Sequence, residues 1–358
     1  HGHTVGVETT TGPLGQGLST AVGMAMAARF ERGLFDPQAP WATSTFDHRV
    51  WVIASDGDLE EGISGEASSI AGTQRLANLT VIWDDNHISI EGDTRVAFTE
   101  DVVGRYEAYG WVVHEVGLTP TGDVDVEGLM AALDAAANES ERPTFIAMHS
   151  IIAWPAPHAQ NTAKAHGSAL GAAEVTATKS ILGLDPDKDF QVPASVLDYT
   201  RGFQDAHRAI RNDWDARYLL WRNKHPERAA LLDRLTSGEL PDGLDQALPT
   251  FDTGDSISTR AASGKAINAL ASLLPELWGG SADLAGSNDT TITGGLSFLP
   301  AGSGAVDSSP YGRILHFGVR EHAMGAILNG INIGGLTRAF GGTFLVFSDY
   351  MRGSVRLA

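Results

Sequence analysis

The residues best placed to do chemistry are Asp56 and Asn86. Val50-Trp51-Val52-Ile53-Ala54 runs into Ser55-Asp56-Gly57, and Leu79-Thr80-Val81-Ile82-Trp83 runs into Asp84-Asp85-Asn86. If these apolar runs are parallel strands joined by one right-handed helical crossover, both side chains stand at the same edge of a sheet. That is the edge where open α/β sheets bind ligands. A carboxylate and an amide oxygen suit Mg²⁺, which takes hard oxygen donors and completes its shell with backbone oxygen, water and phosphate. Asp and Asn are also favoured turn residues after a strand, so spacing alone leaves both readings open.

Thr11-Gly12-Pro13-Leu14-Gly15-Gln16-Gly17 precedes an apolar helix beginning at Leu18. Glycines let a backbone approach a ligand closely, and a helix N-terminus is electropositive, so the stretch suits a phosphate or simply a tight loop. It is not a dinucleotide fingerprint, because Thr20 stands where the third glycine belongs. Gly264-Lys265-Ala266 likewise fails as a phosphate-binding loop. Glu321 opens a helix after Gly318-Val319-Arg320, where a carboxylate favours the helix dipole or an ion pair. Phe344, Phe347 and Tyr350 recur every third residue, a stripe that suits a core or a ring-binding face. His149, His158 and His166 match no metal-ligand spacing.

The elements that must position these residues alternate. Strands are predicted at 50–54, 79–83 and 144–148, with helices at 18–30, 62–76, 99–109 and 126–137, the pattern of a buried parallel sheet flanked by helices. A charged helical stretch covers 199–235. Residues 236–255, with Gly, Pro and Asp, read as an acidic linker. A second alternation follows: helical spacing from Ile257 to Leu274, strands at 277–278 and 314–317, and helices over 320–328 and 344–357. The expected fold is therefore α/β, parallel sheets flanked by helices, in two domains at 1–235 (with its helical extension) and 256–358.

A length of 358 residues fits that division at roughly 100–200 residues per domain. The net charge of −19 argues against nucleic acid or an anionic membrane as partner, but a few local cations can still hold a phosphate. With no cysteine, disulfides, thiol chemistry and Cys-bound zinc are excluded. No run reaches the ~18 apolar residues of a membrane span. The chain opens His1-Gly2-His3 and closes within a predicted helix, so it reads as an internal piece of a longer protein with its second domain truncated.

Taken together, Gly2-His3-Thr4, the run from Gly6 to Gly17, Ser55-Asp56-Gly57 with Asp85-Asn86, Lys164-Ala165-His166-Gly167, Gly279-Gly280-Ser281-Ala282-Asp283-Leu284 and Phe317-Gly318-Val319-Arg320-Glu321 resemble the transketolase family, in order and over essentially the whole chain. Gly12 to Gly17 and Gly279 to Leu284 favour that family over dihydroxyacetone synthase, phosphoketolase and deoxyxylulose-phosphate synthase. A reading from another class is a binding fragment without catalysis.

The resemblance implies a thiamin-diphosphate-binding fold: a diphosphate domain over 1–235 and a pyrimidine domain over 256–358. It implies reversible transfer of a two-carbon ketol group from xylulose 5-phosphate to ribose 5-phosphate or erythrose 4-phosphate, in the pentose phosphate pathway, by a cytoplasmic homodimer. Asp56, Asn86 and the Ile88 backbone oxygen would hold Mg²⁺ (or Ca²⁺ or Mn²⁺) against the diphosphate. Gly12, Pro13, Leu14 and Gly57 would line thiamin diphosphate, and His166 would touch both cofactor and substrate. Arg260 and Ser287 would grip the sugar phosphate. Phe344, Phe347 and Tyr350 would surround the aminopyrimidine ring, and Glu321 would hydrogen-bond it and drive formation of the reactive ylid. Glu61 and Glu66 match acidic positions linking the two sites of a dimer. One departure stands out: Ser55 occupies a position where the family usually has Gly.

Overall fold

The computed structural model describes residues 2–40 and 42–358. The first half runs α1 (Gln16–Phe35), β1 (Val50–Ser55), α2 (Asp56–Glu60), α3 (Gly62–Thr73) and β2 (Leu79–Asp85). A small hairpin follows, β3 (Ile88–Ser89) with β4 (Gly92–Asp93), then α4 (Val102–Ala108), β5 (Val112–Val116), α5 (Val126–Asn138) and β6 (Thr144–His149). The strands lie in the order β1-β2-β6-β5, all parallel. Ser55 pairs with Asp84 and Asp85 with His149, so the C-terminal ends finish flush at one edge.

Four helices come next: α6 (Ala172–Ile181), α7 (Ala194–Lys224), α8 (Pro226–Ser237) and α9 (Leu244–Ala247). The second half is α10 (Thr259–Leu273), β7 (Leu277–Ser281), α11 (Ala285–Asn288), β8 (Ser297–Phe298), β9 (Ser308–Ser309), β10 (Ile314–His316), α12 (Glu321–Ile333), β11 (Arg338–Gly342), a 3-10 turn over Leu345–Met351, and α13 (Arg352–Leu357). Its strands lie in the order β11-β7-β10-β8-β9, again all parallel. The α/β class with parallel sheets flanked by helices is as expected.

Three local expectations are corrected. The helix predicted over 62–76 is α3, but the crossover carries a second, short helix ahead of it, α2, set apart because Glu61 takes extended dihedrals between them. The helix expected over 344–357 is a 3-10 turn followed by α13. The charged stretch is likewise split where Pro226, with no N–H to give, starts α8. In addition β1, read as a strand buried on both faces, forms the sheet edge and leaves Trp51 and Ile53 exposed.

One hydrophobic core runs through both halves. Phe30 of α1 stacks on Trp278 of β7 with ring centroids 4.2 Å apart. Helices α1 and α12 cross at backbone contact through two glycines. A Cβ on Gly23 would sit 2.0 Å from the Ile327 carbonyl oxygen, and one on Gly330 would sit 1.9 Å from that of Thr20. An ion pair on a fully buried carboxylate adds to the joint: the half-buried Arg234 of α8 grips Glu276, just ahead of β7, with both terminal nitrogens at 2.9 and 2.8 Å.

Candidate active site

Asp56 is the first residue of α2. Ser55 caps that helix: its Oγ accepts from the Asp58 N–H at 3.3 Å, while Asp58 accepts from the Ser55 N–H at 2.9 Å. The reciprocal cap satisfies two orphan helix donors and gives the family departure at Ser55 a structural purpose. Asp58 also accepts from the Gly15 N–H at 2.9 Å, which fastens the Gly12–Gly17 loop onto α2. Leu14 lies over Gly57, where a Cβ would meet its Cδ1 at 3.1 Å. The loop and Gly57 therefore lie side by side. A cleft of about 990 Å³ runs beside Gly12, Pro13 and Leu14 along β1.

Asp56, Asp85 and His87 each bring one ligand atom within 4.8 Å of the others. Both carboxylates are buried, and Asp56 Oδ2 and Asp85 Oδ1 have no hydrogen-bond partner. Burial, and then the negative charge of Asp85, push the Asp56 carboxyl up to about 6, against the pull of the Asn86 backbone amide and His87. Burial also raises Asp85, opposed by His87 and His149. His149 Nδ1 stands 2.7 Å from Asp85 Oδ2; His87 Nδ1 is 3.4 Å from Oδ1 without forming a hydrogen bond. Two buried, unpartnered carboxylate oxygens with raised affinity for a proton form a site that a divalent cation would satisfy.

Asn86 joins this cluster through its backbone, while its side-chain oxygen accepts from the Ile88 N–H at 3.0 Å. Ile88 opens the β3–β4 hairpin, and the turn carrying the exposed His166 packs beside that hairpin. Sequence reasoning missed Asp85, His87 and His149 as members of the cluster. The available signal was the paired Asp84-Asp85, of which one carboxylate must face inward on a strand.

Glu321 begins α12. Its N-cap residue, Arg320, offers no side-chain cap; instead Glu66 of α3 accepts from the Ala323 N–H at 3.0 Å. Arg320 reaches Ser69 Oγ at 3.2 Å, and His322 Nε2 lies 2.9 Å from Gln16 Nε2. Ser354 Oγ binds both Gln16 and the His322 carbonyl. The start of α12 is thus tied to α1, α3 and α13 at once. Phe344, Phe347 and Tyr350 form a ladder with centroids 6.0 and 6.2 Å apart, aligned because a 3-10 turn has three residues per turn. Phe344 and Tyr350 are exposed, so the stripe is no core. Arg260, near the start of α10, and Ser287, in the α11 that packs on it, are both exposed. Among the described residues, no hydrogen bond, ion pair or ring contact joins Glu321 or the aromatic ladder to the Asp56 cluster.

Residues 1–241 match the family profile "Transketolase, thiamine diphosphate binding domain", and residues 255–358 match "Transketolase, pyrimidine binding domain". The chain belongs to the transketolase family. It is 56% identical over 359 residues to the transketolase of Mycobacterium tuberculosis, covering 99% of this chain and 51% of the relative. To that of Geobacillus stearothermophilus it is 43% identical, covering 100% and 52%. Among solved structures, Pichia stipitis transketolase in complex with sedoheptulose 7-phosphate superposes with a TM-score of 0.90 at 39% identity, covering 98% of this chain and 51% of that one. Transketolase from Leishmania mexicana gives 0.89 at 37%, covering 99% and 51%. The chain spans about half the length of the transketolases it matches.

Proposed function

We propose that the full-length protein is a transketolase, moving a two-carbon ketol group from xylulose 5-phosphate to ribose 5-phosphate or erythrose 4-phosphate. Family membership supports the reaction. The observation that carries the site is the pair of buried carboxylate oxygens on Asp56 and Asp85 that lack partners at the C-terminal edge of the first sheet. Asp56, Asn86 and the Ile88 carbonyl are the proposed Mg²⁺ ligands, with Asp85 as the neighbouring acceptor. When bound, thiamin diphosphate supplies a carbanion that adds to the ketose carbonyl.

The chain's own residues do the rest. Gly12 to Leu14 and Gly57 are the proposed backbone contacts to the diphosphate end. Glu321 would hydrogen-bond the aminopyrimidine ring, a role for which the ties at the start of α12 fix its position. The Phe344, Phe347 and Tyr350 ladder presents flat apolar surface for a ring. His166 is the proposed donor to both the diphosphate and the sugar. Arg260 grips the substrate phosphate with a guanidinium fork, and Ser287 adds a hydroxyl.

The proposed assembly is a homodimer in which the Asp56 cluster of one subunit works with Glu321 of the other. Glu61 and Glu66 are the proposed links between its two sites. The proposed division places the diphosphate domain at 1–235, a linker at 236–255 and the pyrimidine domain at 256–358. The proposed setting is the pentose phosphate pathway in the cytoplasm.

The test uses the full-length protein with xylulose 5-phosphate, ribose 5-phosphate, Mg²⁺ and thiamin diphosphate, and looks for sedoheptulose 7-phosphate by mass spectrometry. Product that disappears when the cofactor is withheld is the expected result. Absence of product from folded, cofactor-loaded protein removes the ketol-transfer assignment.

A further inference from the structure

A second cavity, of about 670 Å³, opens at the other end of the first sheet. Arg49 and Asn78 line it and immediately precede β1 and β2, whereas Asp56 and Asp85 stand at the far ends of those strands. At ~3.3 Å per residue, roughly 20 Å of strand separates the two places. Five guanidiniums line the cavity, those of Arg29, Arg32, Arg49, Arg75 and Arg217, against the carboxylates of Asp47 and Glu141. In a chain of net charge −19, that is a local reversal of sign.

Two of the five arginines are neutralised by carboxylates. Arg32 Nη1 lies 3.0 Å from Asp47 Oδ1, and Arg217 Nε lies 3.0 Å from Asp213 Oδ2. Arg29 is held differently. It donates to the Gln74 carbonyl at 2.5 Å and to Gln74 Oε1 at 2.6 Å, and its guanidinium lies 4.0 Å above the Phe298 ring centroid. Among the described residues no carboxylate meets it, and its Nε is buried without a partner, as is that of Arg32. Burial pulls the Arg29 guanidinium down to about 9, so its charge is retained at neutral pH at a desolvation cost. Arg49 donates to the carbonyls of Ala77, Ala136 and Glu139. Arg75 is exposed, and its side chain has no partner among the described residues.

Trp214, Phe46 and Tyr311 add flat apolar surface to the same walls. The volume falls within the roughly 300–1,000 Å³ of small-molecule sites. Guanidinium forks match phosphate geometry, and an anion would offset the buried charge of Arg29.

We propose that this cavity binds a small phosphate-bearing anion, its phosphates held by Arg29 and Arg75 and its organic part set against Trp214 and Tyr311. The test is calorimetric titration of the full-length protein, without Mg²⁺ or thiamin diphosphate, using ADP and inorganic pyrophosphate as probes. The expected result is saturable binding of one ADP per chain, weakening as salt is raised. Arg75→Glu, which disturbs no packing, and Arg29→Gln should each weaken it at least tenfold, and Asp56→Ala should leave it unchanged. ADP binding tighter than pyrophosphate assigns the aromatic wall to the ligand's organic part; equal affinity assigns recognition to the phosphates alone. No saturable binding of either probe overturns the proposal, as does binding that Arg75→Glu leaves intact or that Asp56→Ala removes. Because Asp56→Ala dismantles the carboxylate cluster and not this cavity, failure here and failure of the transketolase assignment give different results.

Discussion

Asp56 shows how a single carboxyl couples folding, pH and metal. Its folded value of about 6 lies above the ~3.9 of an unfolded chain, so the folded state keeps a proton that the unfolded state has already released. The stability this contributes is fully present below about pH 4 and is lost as pH rises through 6. In the metal-free protein the deprotonated group therefore costs on the order of 3 kcal/mol at pH 7.5. Asp56→Asn should accordingly raise the melting temperature of metal-free protein at pH 7.5 and abolish the further rise that Mg²⁺ produces; a variant that melts lower than wild type contradicts this account. Since Mg²⁺ must displace the proton, Mg²⁺ affinity by calorimetry should fall about fourfold between pH 7.5 and pH 5.5. Glu321→Ala in the full-length protein should remove most turnover and leave Mg²⁺ binding intact, and near-normal activity would contradict the proposed role. Asp56 and Asn86 were legible because each follows an apolar strand. Asp85, His87 and His149 were not, since burial and pairing across β2 and β6 depend on register that no local pattern reveals.

At the scale of elements, the start of α12 lacks a cap of its own and borrows one from α3. Glu66→Ala should leave the Ala323 N–H unsatisfied and cost about 1 kcal/mol in denaturant unfolding, while Glu66→Gln, which keeps an acceptor, should recover much of the loss. Most helices and five of the sheet-forming strands (β1, β2, β6, β7 and β10) could be read from periodicity and apolar runs. β5 was missed because His114 and Glu115 interrupt it, and β11 because Arg338-Ala339-Phe340-Gly341-Gly342 is too rich in glycine to look like a strand. The aromatic triplet was read with the right spacing and the wrong helix, since every third residue aligns fully only at three residues per turn. The Gly23–Gly330 crossing was invisible to pattern, because its reason is a neighbour more than three hundred residues away. Gly330→Ala should cost about 3 kcal/mol or more, measured by thermal or urea unfolding, because the obstacle is backbone rather than a side chain that can turn aside.

For the whole molecule, the two halves share one core, a glycine crossing, the Arg234–Glu276 pair and the ties around Gln16, Glu66 and His322. The covalent connection between them carries none of this, for no residue from 236 to 260 is buried. The peptide joint thus tethers the halves and the interior surfaces orient them. A single protease cut near 250–255 should leave two fragments that co-elute and melt in one transition. Two open reading frames, divided at that point and expressed together, would then reassemble the same body, with the polypeptide opened and the protein still closed.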